Sequence, residues 1–101
     1  IHEQEERVMF IGSCIITLRA EWVHTLKEKR MIIQSLTKRA RNKFNIAIAE
    51  VDEQDTHQLI VIGFACVSNE YNPADEMVEK VIQFIEGNTD AIVDNVEKDI
   101  I

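Results

Sequence analysis

Hydrophobic positions along the chain follow two periods. Residues 8–18, VMFIGSCIITL, are dense in Ile, Val and Phe. Both alternating sets (Met9, Ile11, Ser13, Ile15, Thr17 and Phe10, Gly12, Cys14, Ile16, Leu18) are largely apolar, which predicts a strand buried on both faces. After the linker RAEWVH, Thr25 and Glu28 form a T-x-x-E capping box. Thr25 can accept the amide of Glu28 while the Glu28 side chain reaches back to the amide of Thr25, so a helix is predicted from Leu26. Leu26, Ile33, Leu36, Ala40 and Phe44 recur at helical spacing and form its core face.

Residues 45–53, NIAIAEVDE, alternate again and predict a second strand, with Ile46, Ile48 and Glu50 on one side and Ala47, Ala49 and Val51 on the other. DEQDTH is a turn, and residues 58–68, QLIVIGFACVS, form a third strand that is apolar on both faces. Asn72-Pro73 is expected to supply the N-cap and first position of a second helix. Its apolar face is Met77, Val78, Val81, Ile82 and Ile85, and Gly87 is its expected C-terminal cap. Residues 91–101 complete the pattern as a last strand.

The order β-α-β-β-α-β, with right-handed crossovers, predicts an α+β ferredoxin-like sandwich: a four-stranded antiparallel sheet with two helices on one face. A single domain is expected over residues 8–101, with residues 1–7, IHEQEER, read as a terminal extension. Two consequences follow from the topology. The start of the first helix (Lys27, Lys29, Arg30) and the turn carrying Glu50, Asp52, Glu53 and Asp55 lie at the same end and should be neighbours. The helices cover one face only, so the other apolar face is expected to be covered by a second copy of the chain, in a homodimer.

Composition adds limits. With 46% hydrophobic and 29% charged residues the 101-residue chain resembles an ordinary soluble domain. The longest apolar run, Leu59 to Val67, is far shorter than the roughly 20 residues of a membrane helix, and Ile1–Val8 is acidic where a signal peptide is basic then apolar; no membrane association is expected. Cys14 and Cys66 lie in apolar runs without metal-ligand spacing, as buried thiols in a reducing cytoplasm would.

Charge changes the picture more. The formal charge is −7, but residues 25–43 hold seven of the eleven Lys and Arg against one carboxylate, Glu28. That segment sums to +6 and the remainder to −13, which points to one defined contact surface. At about 100° per residue, Lys27, Arg30, Gln34, Lys38 and Arg41 share a narrow stripe roughly 110° from the apolar face. The stripe is about 21 Å long, enough to meet several phosphates of an RNA backbone. The competing reading is a solvated helix face whose Lys27 and Arg30 pair with the acidic turn, at little gain in stability. Arg39 and Lys43 flank the other edge and should snorkel.

TLKEKR, AEVDEQDTHQ and IGFACVSN together resemble the YlxP-like family of small bacterial proteins, a group known as a domain of unknown function. Its pattern opens the first helix with S-L-K-x-K-R, continues with A-E-V-x-x-x-D-x-W-Q, and closes a small-residue strand with S-N. Leu26, Lys27, Lys29 and Arg30 match the first piece, with Thr25 for Ser. Ala49, Glu50, Val51, Asp55 and Gln58 match the second, and Ser68 and Asn69 the third. His57 stands where an aromatic is usual, which argues against a large stacking ring there. The resemblance spans roughly residues 9–100 and implies a ferredoxin-like fold. Such proteins are often encoded near genes for transcription elongation, translation initiation and ribosome maturation, which implies an RNA- or ribosome-linked role.

Other chemistry is thinner. A ferredoxin-like sheet can stack bases on aromatics of its central strands, but Phe10 and Phe64 are the only ones there and read as core or dimer contacts. Glu50, Asp52, Asp55 and His57 could hold a divalent cation, with Glu50 and Asp52 expected on one strand face, yet no EF-hand spacing or second His/Cys set completes a site. His24 has no Ser/His/Asp or Cys/His context. Trp22 either caps the core or anchors a partner. The expectation is a non-enzymatic cytoplasmic protein with no cofactor, metal or DNA sequence readout, binding RNA or a ribosomal subunit through the stripe. The alternative is a protein–protein adaptor that uses the apolar sheet face.

Overall fold

A computed structural model describes residues 8–101, so the reading of residues 1–7 lies outside it. The elements are β1 (Phe10–Arg19), α1 (Leu26–Lys43), β2 (Ala47–Asp52), β3 (Leu59–Ser68), α2 (Tyr71–Gly87) and β4 (Ile92–Ile100). The strands form one antiparallel sheet in the order β2-β3-β1-β4. This is the ferredoxin-like α+β sandwich, with β1 and β3 central and each strand within two residues of its expected bounds.

The side chains explain the layers. On β1, Gly12, Cys14, Ile16 and Leu18 turn toward the helices and are buried; on β3, Ile60, Ile62, Phe64 and Cys66 do the same. They pack against Ile33 and Leu36 of α1 and Val78, Val81, Ile82 and Ile85 of α2. The expectation of burial on both faces is met in full within one chain only on this side, although Val61 of β3 is buried on the other. On the other face Ile15 is 42% and Val67 65% exposed. Gly12 lets α2 approach β1 closely: a Cβ there would lie 2.7 Å from Val78 Cγ2 and 3.0 Å from the Ala74 carbonyl oxygen.

Helix α1 begins where the capping box sets it. Thr25 Oγ1 accepts the Glu28 N–H at 3.1 Å, and the Glu28 carboxylate accepts the His24 N–H at 2.9 Å, one residue before the expected Thr25 N–H. Two cap expectations for α2 are corrected. Its N-cap is Glu70, which makes no side-chain capping bond, and Asn72-Pro73 lies inside the first turn. Proline is tolerated there because the first helical N–H groups have no intrahelical partner. At the other end Gly87 is the last helical residue and lacks a left-handed φ; Asn88 is the C-cap, donating its side-chain amide to the Phe84 carbonyl at 2.8 Å. Arg39 ties the two helices by donating to Asn88 Oδ1 at 3.1 Å.

Candidate functional site

The helix start and the acidic turn do meet, as the topology requires, but the contact is made by Lys29. Position 29 lies on the buried face of α1, and its side chain is 1% exposed. Its Nζ donates to the carbonyl oxygens of Glu53 at 2.5 Å and Thr56 at 2.7 Å. Glu50 Oε2 lies 3.0 Å from the same ammonium, held by charge and outside hydrogen-bonding geometry. Glu53 has a φ of 55°, the left-handed region that a non-glycine residue occupies only with support. Its carbonyl accepts Lys29 and the Thr56 N–H, and its carboxylate accepts Thr56 Oγ1. The buried cation therefore fixes the β2–β3 turn to α1.

Gln58 fastens the same end from another direction. Its side-chain amide donates to the carbonyls of Glu21 at 3.0 Å and Val23 at 3.2 Å, and its own carbonyl accepts the Ala20 N–H. The β1–α1 linker is thereby stitched to the start of β3. Among the family-motif positions, Lys29, Glu50 and Gln58 are thus brought together as fold-holding residues. Leu26 is half-buried, Asp55 is exposed in the turn, and Lys27 and Arg30 point into solvent.

A paired-carboxylate site at this turn is not what the strand builds. Glu50 pairs with Ile62 and Asp52 with Val61, the register shifting between them. The extra residue of this bulge, Val51, sends Glu50 to the helix side and Asp52 to the open side. The expected placement of both carboxylates on one face is therefore corrected.

The stripe itself is laid out as the helical period requires. Lys27, Arg30, Gln34, Lys38 and Arg41 are all exposed on α1. Lys27, Arg30, Lys38 and Arg41 have no ion-pair or hydrogen-bond partner among the described residues, so the pairing of Lys27 and Arg30 with the acidic turn does not occur. Off the stripe, Arg19 pairs with Glu21 and Asp94, Arg39 bonds Asn88, and Lys98 pairs with Asp75 at 2.7 Å and Glu79 at 2.6 Å, whereas Lys80 of α2 is exposed and likewise without a partner among the described residues. Lys43 lies over the Phe44 and Phe84 rings, 5.8 and 5.4 Å from their centroids, as a snorkelling side chain would.

The open sheet face carries no ring among the described residues. Ser13, Ala47, Ala49, Gly63 and Ala65 floor a shallow depression of about 460 Å³. Val51 folds over Gly63, and Glu97 and Asp99 border the β4 side. Phe64 is buried on the helix side, and Phe10 meets Tyr71 edge-to-face at 6.1 Å. Trp22 does not seal the core. It is 44% exposed and lines a groove of about 400 Å³ with Met31, Ile32, Arg39 and Asp90. Both cysteines are buried and free; burial pushes the Cys14 thiol up to about 11 and raises Cys66. No helix among the described residues is long and apolar enough to cross a membrane.

Comparisons with known proteins fit this architecture. The family model described as "Protein of unknown function (DUF503)" matches residues 11–98. "Uncharacterized protein YlxP" of Bacillus subtilis (strain 168) is similar, 37% identical over 62 residues that cover 61% of this chain and 67% of that protein. Among solved structures, the "De novo designed protein Foldit4" aligns over 92% of this chain and 96% of its own with a TM-score of 0.55, at 10% identity, a likeness of fold alone.

Proposed function

The chain belongs to the DUF503 family of proteins of unknown function, and we propose that it is a non-enzymatic cytoplasmic protein that binds the RNA of a ribosomal particle through the outer flank of α1. One observation carries this reading. In a chain with eighteen carboxylates, four of the five exposed cations without partners among the described residues collect on one helix stripe, the fifth being Lys80 on α2, while Arg19, Lys29, Arg39, Lys43 and Lys98 are engaged elsewhere. A row of unpaired cations on an acidic body attracts one polyanion at one place and repels it elsewhere. The two buried thiols suit a reducing compartment.

Co-sedimentation with ribosomal subunits across a salt series tests the reading, with Lys38→Glu/Arg41→Glu beside the unaltered chain. Binding that weakens steeply with salt and disappears on charge reversal supports it. No binding at low salt, or binding indifferent to the reversal, overturns it. Capture that survives nuclease treatment points instead to a protein adaptor.

The exposed apolar positions on the open face favour a homodimer as a second feature. A flat floor of small residues lets two sheets stack at about 10 Å. A two-fold axis parallel to the strands places Glu97 and Asp99 of one copy over the Ala47–Ala49 edge of the other, so like charges do not meet. Sedimentation velocity should give a dimer whose mass does not change with salt, and Ala65→Arg should yield a folded monomer. A monomer without the substitution sinks this feature and leaves the face to another protein.

A further inference from the structure

Resting on the RNA reading above, we infer that the polyanion is double-stranded RNA and that α1 lies across its minor groove. The spacing of the stripe is symmetric about its middle. Lys27 and Arg30 are three residues apart, Lys38 and Arg41 are three residues apart, and Gln34 stands four residues from each inner cation. At 1.5 Å per residue, the centres of the two cation pairs are about 16 Å apart along one straight helix. The charge is therefore concentrated at two separated places with a neutral donor and acceptor between them. A single backbone strand calls for evenly spaced cations along its path. Two phosphate strands bordering a groove call for two clusters and a polar centre.

The aromatic residues point the same way. Sequence-tolerant or sequence-specific binding of single strands rests on bases stacked against rings. Near the stripe the described residues offer no free Phe, Tyr or Trp ring, and His24 at the start of α1 is a single small ring whose backbone N–H is tied to Glu28. Phe64 is buried; Phe44 and Phe84 are consumed in an edge-to-face pair 5.6 Å apart, with Lys43 over both. Trp22 lies in the groove against Ile32, Leu36 and Arg39, on the opposite flank of α1 from the stripe. The open sheet face holds no ring either. What remains is backbone recognition of a duplex.

The A-form duplex suits this surface better than B-form DNA. Its minor groove is wide and shallow and lined with 2′-hydroxyls, which both donate and accept hydrogen bonds. The Gln34 amide does the same. Lys27 and Arg30 meet phosphates of one strand, Lys38 and Arg41 those of the other, and Gln34 faces the hydroxyls between. No base edge is read, so binding is indifferent to sequence.

The test is fluorescence anisotropy with a 20-base-pair RNA duplex, one of its strands alone, and the DNA duplex of the same sequence, each across a salt series. The RNA duplex should bind at least tenfold more tightly than the other two. Lys27→Glu/Arg30→Glu and Lys38→Glu/Arg41→Glu should each lower the salt slope by about 2, as loss of two phosphate contacts requires. Gln34→Ala should narrow the RNA-to-DNA preference and leave the salt slope unchanged. Single-stranded RNA or DNA duplex bound as tightly as the RNA duplex overturns this inference, even where ribosomal subunits still bind through the stripe. Failure of subunits and every oligonucleotide to bind overturns the RNA reading itself.

Discussion

The ammonium of Lys29 lies 3.0 Å from the carboxylate of Glu50, and although it belongs to the most basic segment of the chain it is buried. It is part of the core. The ammonium donates to the Glu53 and Thr56 carbonyls and sits beside the Glu50 charge, so the cation leaves water only where replacements for water are in place.

Lys29→Met keeps most of the side-chain volume and removes those interactions. The Glu53 and Thr56 carbonyls each lose a donor, the Glu50 charge loses its counter-ion, and the left-handed Glu53 keeps only its bonds to Thr56. The expected cost is about 3 kcal/mol, within the range for breaking a buried pair. Lys27→Met, two residues away in solvent, should change stability by less than about 0.5 kcal/mol. Urea unfolding of both variants checks the contrast. Equal midpoints would mean that Lys29 does not hold the turn.

The two central-strand glycines make a second contrast. Gly12→Ala drives a methyl against the Ala74 carbonyl, part of a helix backbone that cannot turn aside. About 2 kcal/mol should be lost, as in other overpacked cores. At Gly63 the obstacle is Val51, with Cγ1 2.9 Å and Cγ2 3.3 Å away, on an exposed side chain that can shift toward solvent rather than on a helix backbone. Gly63→Ala should cost less than about 1 kcal/mol, because relief of strand glycine entropy offsets the crowding. Thermal unfolding with Gly12 the more tolerant position would contradict the close α2–β1 packing.

The thiols set the alkaline limit. Cys14 ionises near 11 in the folded chain against an ordinary 9.0, because burial penalises the thiolate. Between those values the unfolded chain holds fewer protons than the folded one, so stability is full below pH 9 and falls as pH rises toward 11. Lys98 works in the same direction: its hydrogen bonds to Asp75 and Glu79 raise its pKa, and what they contribute is lost as the ammonium finally deprotonates. Urea midpoints should be flat from pH 7 to 8.5 and drop by pH 10.5. A thiol reagent at pH 8 should label neither cysteine until urea unfolds the protein; prompt labelling of the native chain would refute the burial argument.

The element order was legible because period 2 and period 3.6 barely overlap in this chain, and the capping box marked Leu26 to the residue. The errors have local causes. Proline is compatible with any position of the first helical turn, so Asn72-Pro73 could not fix a cap that Glu70 occupies without a side-chain bond. Strand alternation presumes an unbroken register, so the bulge at Val51 hid the separation of Glu50 from Asp52. Lys29 was expected beside the acidic turn, where it is, but its burial was not read. Its position, four residues before Ile33 and seven before Leu36, already set it on the apolar face, and that was the available signal. The stripe needed only the helical period; that its cations go unpaired needed the folded chain.

Gln58 and Lys29 clamp one end of the molecule from opposite sides, and their effects should not add. Gln58→Leu removes the bonds to the Glu21 and Val23 carbonyls and should cost about 1.5 kcal/mol on its own. The Lys29 partner Thr56 is two residues from Gln58, and the turn joining them leads directly into β3. Once either clamp is released, that turn moves, and the remaining clamp grips a backbone no longer held in place. The double variant should therefore be less unstable than the sum of the two by about 1 kcal/mol, a coupling typical of residues that share a backbone segment. Strict additivity in a double-mutant cycle would separate the two into independent fasteners. The measured coupling would instead make the motif residues of this end one structural unit, leaving Lys27 and Arg30 beside it free for contact outside the chain.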